Sequence, residues 1–378
     1  MSDTSSRKHI GIVTLPLHAN YGGILQAYAL QTTLERLGHR ASLIRTARWS
    51  RTSLPWKLAP FVIAKRTLRK YVFHQDIKVF EERQIRKILR HTAKFIKKHI
   101  HTFRIKDYAS LAETDSFDAY VVGSDQVWRP LYFSEGIANA FLKFAEHKTV
   151  KRIAYAPSFG VDNWEYSECE TKECRSLLQQ FDAVSVREST AIDLCRQHLG
   201  RTDVQWVLDP TMLLDADDYR KLYLEVHTPR SDGRLMTYIL DDAPETQRLV
   251  LYVSKQLGLK VFSTNSRYED SAAPLRERIQ PPVEQWLRGF NDAEYVVTDS
   301  FHACVFSILF RKQFVVVANS LRGNARIESL LSMFGLEDRK VDAAALTLPE
   351  KSINYDAVYA KLSKLRQESL EILKRALA

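Results

Sequence analysis

The amino-acid sequence predicts an α/β protein with two lobes and a basic helical insertion in the first lobe. Short apolar runs typical of buried strands alternate with helical patterns along most of the 378 residues. This alternation stops at residues 207–219, where VLDPTMLLDADDY combines a proline with an acidic patch. We therefore expect an N-terminal α/β domain over residues 1–215, a C-terminal one over 216–345, and a final helix within 346–378 that can pack back on the first lobe.

Nine segments have the apolar or β-branched composition of strands: residues 9–15, 41–45, 117–122, 152–156, 183–186, 234–240, 260–263, 295–298 and 314–317. The first is followed by a glycine turn and a helical pattern over 24–37. The eighth is followed by residues 301–310, whose apolar positions have the spacing of a buried helix. Alternation of this kind predicts parallel sheets.

Small or polar residues follow four of the predicted strands: Asn20, Gly22 and Gly23, then Ser124 and Asp125, then Ser158, then Arg187 and Glu188. The carboxyl ends of parallel strands meet at one edge of a sheet, where ligands bind in open α/β folds. Taken alone, the two glycines indicate no more than a tight turn with close backbone packing. The four loops together predict an edge that binds a polar ligand.

The sequence TDSFH places His302 where a loop enters the helix after residues 295–298. Two interpretations remain open. The helix N-terminus can bind an anion beside the imidazole, or Ser300 or Asp299 can simply cap the helix and leave His302 on the surface. In either case we expect His302 at an exposed helix start, outside the core.

The net charge of +10 comes from one segment. Between Arg45 and Lys106 there are 18 Lys and Arg against 3 Asp and Glu, a net charge of +15, so the remainder carries −5. We interpret residues 46–106 as the helical insertion, with one long helix over 76–100. Its charged face can be merely solvated, or it can dock on an anionic membrane or acceptor. The second interpretation draws on interleaved aromatic residues: Trp49, Trp56, Phe61, Tyr71 and Phe73.

The cysteine pattern favours a cytoplasmic protein. Cys169, Cys174, Cys195 and Cys304 form no CxxC pair and no Cys/His cluster with zinc spacing, as expected of reduced thiols. The first residues lack the apolar core of a signal peptide, and no apolar run is long enough to cross a bilayer. We expect no metal and no cofactor.

Several ordered motifs resemble those of the polysaccharide pyruvyl transferase family along nearly the whole chain. They are NYGGILQAYAL (20–30), VVGSDQVW (121–128), VSVRES (184–189), VVTDSFHACVFSILF (296–310) and LLSMFGLEDR (330–339). The resemblance implies two Rossmann-like domains arranged as in GT-B glycosyltransferases, with the site in the cleft between them. It also implies transfer of a pyruvyl group from phosphoenolpyruvate to two hydroxyls of a sugar, which gives a cyclic ketal.

The resemblance implies specific residues as well. In family members, the histidine and arginine at the positions of His302 and Arg187 contact phosphoenolpyruvate. Two departures stand out, because many members have arginine at the position of Ser300 and glycine at that of Ala303. The missing arginine removes one anion contact, which Arg322 or Arg326 in the next loop can supply.

Ketal formation is chemistry that these residue types can perform. The enol carbon must be protonated, and we expect His302 to be the acid because imidazole ordinarily titrates near neutral pH. A carboxylate must accept the hydroxyl proton, and Asp125 or Asp299 can do so. We expect Asn20, Gly22, Gly23, Ser124 and Ser300 to bind substrate.

Two other functions stay open. A GT-B glycosyltransferase would share the architecture but need a pocket for the base and ribose of a nucleotide sugar. A non-enzymatic binder of nucleic acid or another anionic polymer would use the basic segment, but no RNA- or DNA-binding motif accompanies it. We therefore expect phosphoenolpyruvate, a sugar or lipid-linked oligosaccharide acceptor and an anionic membrane surface as partners, and no nucleic acid.

Overall fold

The structure is a computed structural model that describes residues 7–47, 59–71, 81–114, 116–241, 243–317 and 324–378. Twelve strands lie within these residues. They are β1 (His9–Val13), β2 (Arg40–Thr46), β3 (Thr102–Ile105), β4 (Ala119–Val122), β5 (Lys151–Ala154), β6 (Ala183–Val186), β7 (Gln205–Trp206), β8 (Leu235–Tyr238), β9 (Val261–Ser263), β10 (Tyr295–Thr298), β11 (Gln313–Val317) and β12 (Lys340–Val341). All nine predicted strands are present.

The α-helices of the described residues fill the connections between strands. They are α1 (Tyr21–Arg36), α2 (Ala59–Tyr71), α3 (Glu81–Ile88), α4 (Arg90–His99), α5 (Ala109–Ala112), α6 (Glu168–Leu178), α7 (Thr190–Leu199), α8 (Ala216–Glu225), α9 (Pro244–Leu257), α10 (Leu275–Arg278), α11 (Val283–Asp292), α12 (Phe301–Leu309), α13 (Ala325–Phe334) and α14 (Tyr355–Leu377).

The strands form two parallel sheets, which confirms the predicted α/β class. The first has the order β3-β2-β1-β4-β5-β6-β7 and the second β12-β11-β10-β8-β9. The strand order reverses between β1 and β4 in the first sheet, and between β8 and β10 in the second. In open parallel sheets such reversals open a crevice at the carboxyl ends of the strands.

The insertion is shorter than predicted. Residues 102–105 belong to the sheet, because β3 pairs with β2 in parallel, from Leu43 beside Thr102 to Thr46 beside Ile105. The predicted helix over 76–100 is two helices in the described part of the chain, α3 and α4, which meet at Leu89. The sequence of β3, TFRI, gives no clear strand signal, because β3 is an edge strand with no fully buried residue. Trp49, Trp56 and Phe73 lie outside the described residues.

Helix α14 contacts the chain just after the first sheet. Arg366 donates hydrogen bonds from Nε to the carbonyl of Met212 at 2.7 Å and from Nη2 to that of Leu214 at 3.1 Å. The amide of Leu208 donates to Ser369 Oγ at 3.1 Å. The helix thus lies along the connection between the two sheets. The limits of the two domains stay a prediction.

Candidate active site

A small pocket lies where the two strand-order reversals face each other. Its volume is about 80 Å³. Asn20 and Asp125 line it from the ends of β1 and β4, and Leu240 and His302 from the ends of β8 and β10. Each lobe therefore contributes the loops of its own reversal point, which is where this fold places ligands.

His302 lies in the first turn of α12 and is buried, with 6% of its surface exposed. The expectation of an exposed helix start is wrong, because every residue of α12 is buried between its neighbours. Burial lowers the pKa of His302 to about 4, although Asp209 and Asp125 oppose this effect. The imidazole is therefore neutral at pH 7, and an acid role requires that substrate binding raise its pKa.

Gly22 makes room for the imidazole. A Cβ at this position would lie 2.0 Å from His302 Nδ1, closer than any side chain permits. The glycine turn after β1 thus lets α1 and α12 approach across the interface of the lobes. Gly23 differs, since its added Cβ would meet nothing nearer than 3.5 Å, at Asn20 and Asp125.

Arg187 lies behind the pocket and joins two carboxylates. Its Nη1 is 2.7 Å from Asp209 Oδ2 and its Nη2 is 3.3 Å from Asp125 Oδ1. The side chain is 1% exposed and does not line the pocket. The guanidinium also stacks on Phe301, with Cζ 4.4 Å from the ring centroid. In this structure Arg187 therefore holds Asp125 in place and does not face the pocket.

Asp209 is a site residue that the sequence interpretation missed. Its Oδ1 accepts hydrogen bonds from the amide and hydroxyl of Thr211 at 2.9 and 2.6 Å. Its Oδ2 lies 3.8 Å from His302 Nε2. The residue follows β7, so it occupies a fifth strand end of the first sheet, within the segment interpreted only as a domain boundary. The two-residue strand gives almost no sequence signal.

The carboxylates are held in their ionised form. Burial opposes ionisation of Asp125 and Asp209, but Arg187 outweighs it together with nearby groups, and the pKa of each lies below its ordinary value. The pKa of Arg187 is raised, because the two carboxylates outweigh the effect of burial. Asp125 therefore faces the pocket as a carboxylate that can accept a proton.

Among the described residues that line the pocket, Arg326 is the one with a guanidinium. It lies in the first turn of α13, buried, with Cζ 5.9 Å from the centroid of the Phe301 ring. Burial and the nearby Arg187 lower its pKa to about 10, so it remains charged at neutral pH. Ser300 lines the same pocket and does not cap α12 with its side chain. Arg322 lies outside the described residues.

Ser124 and Asp299 have structural partners. The hydroxyl of Ser124 donates to the carbonyl of Ala156 at 2.8 Å, and the residue is fully buried without lining the pocket. The two oxygens of Asp299 accept hydrogen bonds from the amides of Leu240 and Asp241 at 2.8 and 2.9 Å. These bonds fix the loop after β8, and Asp299 also lines the pocket.

The site thus combines a neutral imidazole, a charged guanidinium and an ionised carboxylate around one small cavity. Such a set can bind an anion and move protons. Among the described residues there is no group of three or more His, Cys, Asp or Glu that could hold a metal ion. Within the same residues, none of the helices combines the length and apolar character needed to cross a membrane.

The fold defines a class, the two-lobed GT-B type. A glycosyltransferase from Rickettsia africae has a TM-score of 0.50 and 12% identity, over 98% of this chain and 99% of that one. A putative UDP-N-acetylglucosamine 2-epimerase from Listeria monocytogenes has a TM-score of 0.49 and 9% identity, over 98% of this chain and 91% of that one. No curated protein sequence matches the chain.

The sequence itself gives the family. The model of the polysaccharide pyruvyl transferase family matches residues 20–320, and the chain belongs to that family. The matched residues run from Asn20, through both reversal points, to residue 320, shortly after the end of β11.

Proposed function

We propose that this transferase moves a pyruvyl group from phosphoenolpyruvate to two hydroxyls of one sugar in a lipid-linked polysaccharide repeat unit. The products are a cyclic ketal and inorganic phosphate. The observation that carries the proposal is the pocket in which His302, Arg326 and Asp125 meet. Family membership supports the pyruvyl transfer, and the acid–base pair of the pocket supports the ketal chemistry.

The negative charge of phosphoenolpyruvate matches the hydrogen-bond donors of the pocket. Arg326 offers a planar fork for the carboxylate or the phosphate. The first turn of α12, which the Ser300 side chain leaves uncapped, adds backbone N–H groups. These contacts take the place of the arginine that many family members have at the position of Ser300.

The proton needed for the donor's methylene carbon comes from His302. The bound trianion raises the pKa of the neighbouring imidazole, so His302 takes up a proton as the donor binds. Its transfer converts the methylene into a methyl group and leaves an oxocarbenium-like centre. The histidine is thus charged only when there is a substrate to protonate.

Two hydroxyls then complete the ketal. The first adds to the cationic carbon and gives its proton to Asp125, after which the C–O bond to phosphate breaks. The second hydroxyl adds and loses its proton, which leaves with the phosphate as hydrogen phosphate. Asp125 then releases its proton to solvent, which offsets the proton that His302 took up as the donor bound. One proton enters the methyl group, one leaves in hydrogen phosphate, and atoms and charge balance.

A cleft of about 1020 Å³ adjoins the small pocket and can hold the acceptor. It lies at the ends of β8 and β9 and shares Leu240 with the small pocket. Its polar and aromatic lining includes Asn265 and Tyr268, which suits a sugar. The size of this cleft also suits a nucleotide, so a glycosyltransferase that uses a nucleotide sugar is the second candidate.

The test is phosphate release from phosphoenolpyruvate with a panel of lipid-linked and aryl glycosides. The proposal predicts release that depends on the acceptor and equals the ketal formed. Thermal stabilisation by nucleoside diphosphates, with no phosphate release on any acceptor, would favour the glycosyltransferase instead.

A further inference from the structure

A second groove lies on the first lobe beside the basic helices. Its volume is about 390 Å³, in the range of ligand sites. Four cations line it, Arg45 from β2, Arg104 from β3, Arg86 from α3 and Lys97 from α4. None of the described residues that line it is acidic. Within the described ranges, none of the four cations forms an ion pair with a carboxylate.

Two of these cations are forced together by the sheet. Arg45 and Arg104 are direct neighbours in the parallel pairing of β2 with β3. Burial, together with Arg104, lowers the pKa of Arg45. Like charges held side by side repel each other, and partial burial strengthens the repulsion. An anion bound between them would remove this cost.

The floor of the groove is apolar. Leu43 and Ile100 line it and are 1% and 5% exposed, and Ile96 adds a further aliphatic side chain from α4. A soluble phosphate has no apolar surface to bury against these side chains. An anion attached to a hydrocarbon chain would bury that chain there.

The neighbouring helix exposes apolar side chains as well. Phe61 and Leu68 of α2 are 76% and 52% exposed, and their spacing of seven residues places them on one face. Helix α2 is joined to α3 by the ion pair of Arg66 with Glu82 at 2.8 Å. A cationic groove whose α3 wall is joined to a helix with exposed apolar side chains favours a lipid as the occupant.

The groove is also close to the pocket along the chain. His18 lines the groove and Asn20 lines the pocket, both within the loop between β1 and α1. We propose that this groove binds the diphosphate and the first carbons of the hydrocarbon chain of a lipid-linked acceptor, an inference that rests on the proposed transfer to a lipid-linked sugar. The sugar then extends past the β1–α1 loop towards the donor pocket.

Direct binding tests the groove without any turnover. The probe is farnesyl diphosphate, compared with farnesol and with inorganic diphosphate on the full chain. The variant is the double substitution Arg86→Gln/Lys97→Gln. Its matched control is Arg83→Gln/Lys94→Gln, which removes two exposed charges from the same helices outside the groove. Both variants change surface residues of α3 and α4 and should fold normally.

We expect farnesyl diphosphate to bind at least about tenfold more weakly to the groove variant, since each lost charge-assisted hydrogen bond costs roughly a factor of ten. The control should stay within about twofold of the unmodified protein. Equal weakening in both variants, or inorganic diphosphate binding as tightly as farnesyl diphosphate, would overturn the proposal. So would binding to anionic vesicles with no binding of farnesyl diphosphate.

A kinetic comparison separates this inference from the proposed function. The groove variant should raise KM for a lipid-diphosphate-linked sugar and leave KM for an aryl glycoside unchanged. If both acceptors are used and neither KM changes, the groove assignment fails and pyruvyl transfer stands. If no acceptor is used, pyruvyl transfer fails, and the farnesyl diphosphate measurement still decides whether the groove binds a lipid diphosphate.

Discussion

The imidazole of His302 lies against the backbone of Gly22, so close that a Cβ there would be 2.0 Å from Nδ1. This contact joins the two lobes at their reversal points and fixes the ring in the pocket. It also gives Gly22 a role other than substrate binding. The glycine is required by the position of the histidine.

Gly22→Ala should therefore displace the imidazole and lower kcat for phosphoenolpyruvate turnover by about 10² or more, because small misplacements of a catalytic group are costly. Gly23→Ala is the matched control, as its Cβ meets nothing within 3.4 Å. The control should retain activity and gain up to about 1 kcal/mol of stability from helix propensity. Equal activity in the two variants would contradict the role of the contact.

The buried histidine should make stability depend on pH. Its folded pKa of about 4 lies below the ordinary 6.5, so the unfolded chain binds more protons between these values. The free energy of unfolding therefore falls as the pH drops from 7 to 5, by about 2 kcal/mol from this group. Denaturant titrations of the unmodified protein and of His302→Asn at both pH values isolate the effect. The variant should lose less stability by that amount, and identical losses would refute it.

The two arginines should respond differently to lysine. Arg187→Lys keeps the charge but cannot span Asp125 and Asp209, so we expect a loss of roughly 1–3 kcal/mol in stability and a lower kcat. Arg326→Lys changes a group that lines the pocket, so it should chiefly raise KM for the donor. A raised KM alone for Arg187→Lys, with an unchanged melting temperature, would show that this arginine binds the donor directly.

The basic insertion should bring the protein to anionic membranes. Each Lys or Arg near such a surface contributes about 1 kcal/mol, so the described cations suffice for binding. The protein should sediment with vesicles that contain phosphatidylglycerol and not with phosphatidylcholine alone. Phe61→Ser should weaken this sedimentation, whereas Leu251→Ser, which changes a similarly exposed residue of the other lobe, should not. Equal sedimentation with both vesicles would rule the idea out.

Much of the site could be predicted from the sequence because it follows strand ends. Asn20, Asp125 and His302 each follow a clear apolar strand, and parallel pairing brings the ends of such strands together. Asp209 was missed because β7 has only two residues and no periodicity. The orientation of the Arg187 side chain could not be predicted either, because it depends on the ion pair with Asp209.

The protonation state of His302 likewise depends on structure that the local sequence does not show. The start of a helix suggests exposure, but α12 is enclosed along its whole length. The basic segment could be located from the sequence. The pairing of β3 with β2 could not, because apolar and polar side chains do not alternate clearly along β3. The pairing decides that Arg45 and Arg104 lie together.

The most direct test of the account uses phosphoenolpyruvate isotopically labelled at its enol carbon, with a lipid-linked or aryl glycoside acceptor. The account predicts that this carbon appears in the acceptor as a ketal carbon bearing a methyl group, with one phosphate released for each ketal. It predicts that His302→Ala, at saturating donor, loses this turnover by about 10²–10⁴ in kcat. Unchanged kcat in that variant, or an acceptor that never gains the labelled carbon, would contradict it.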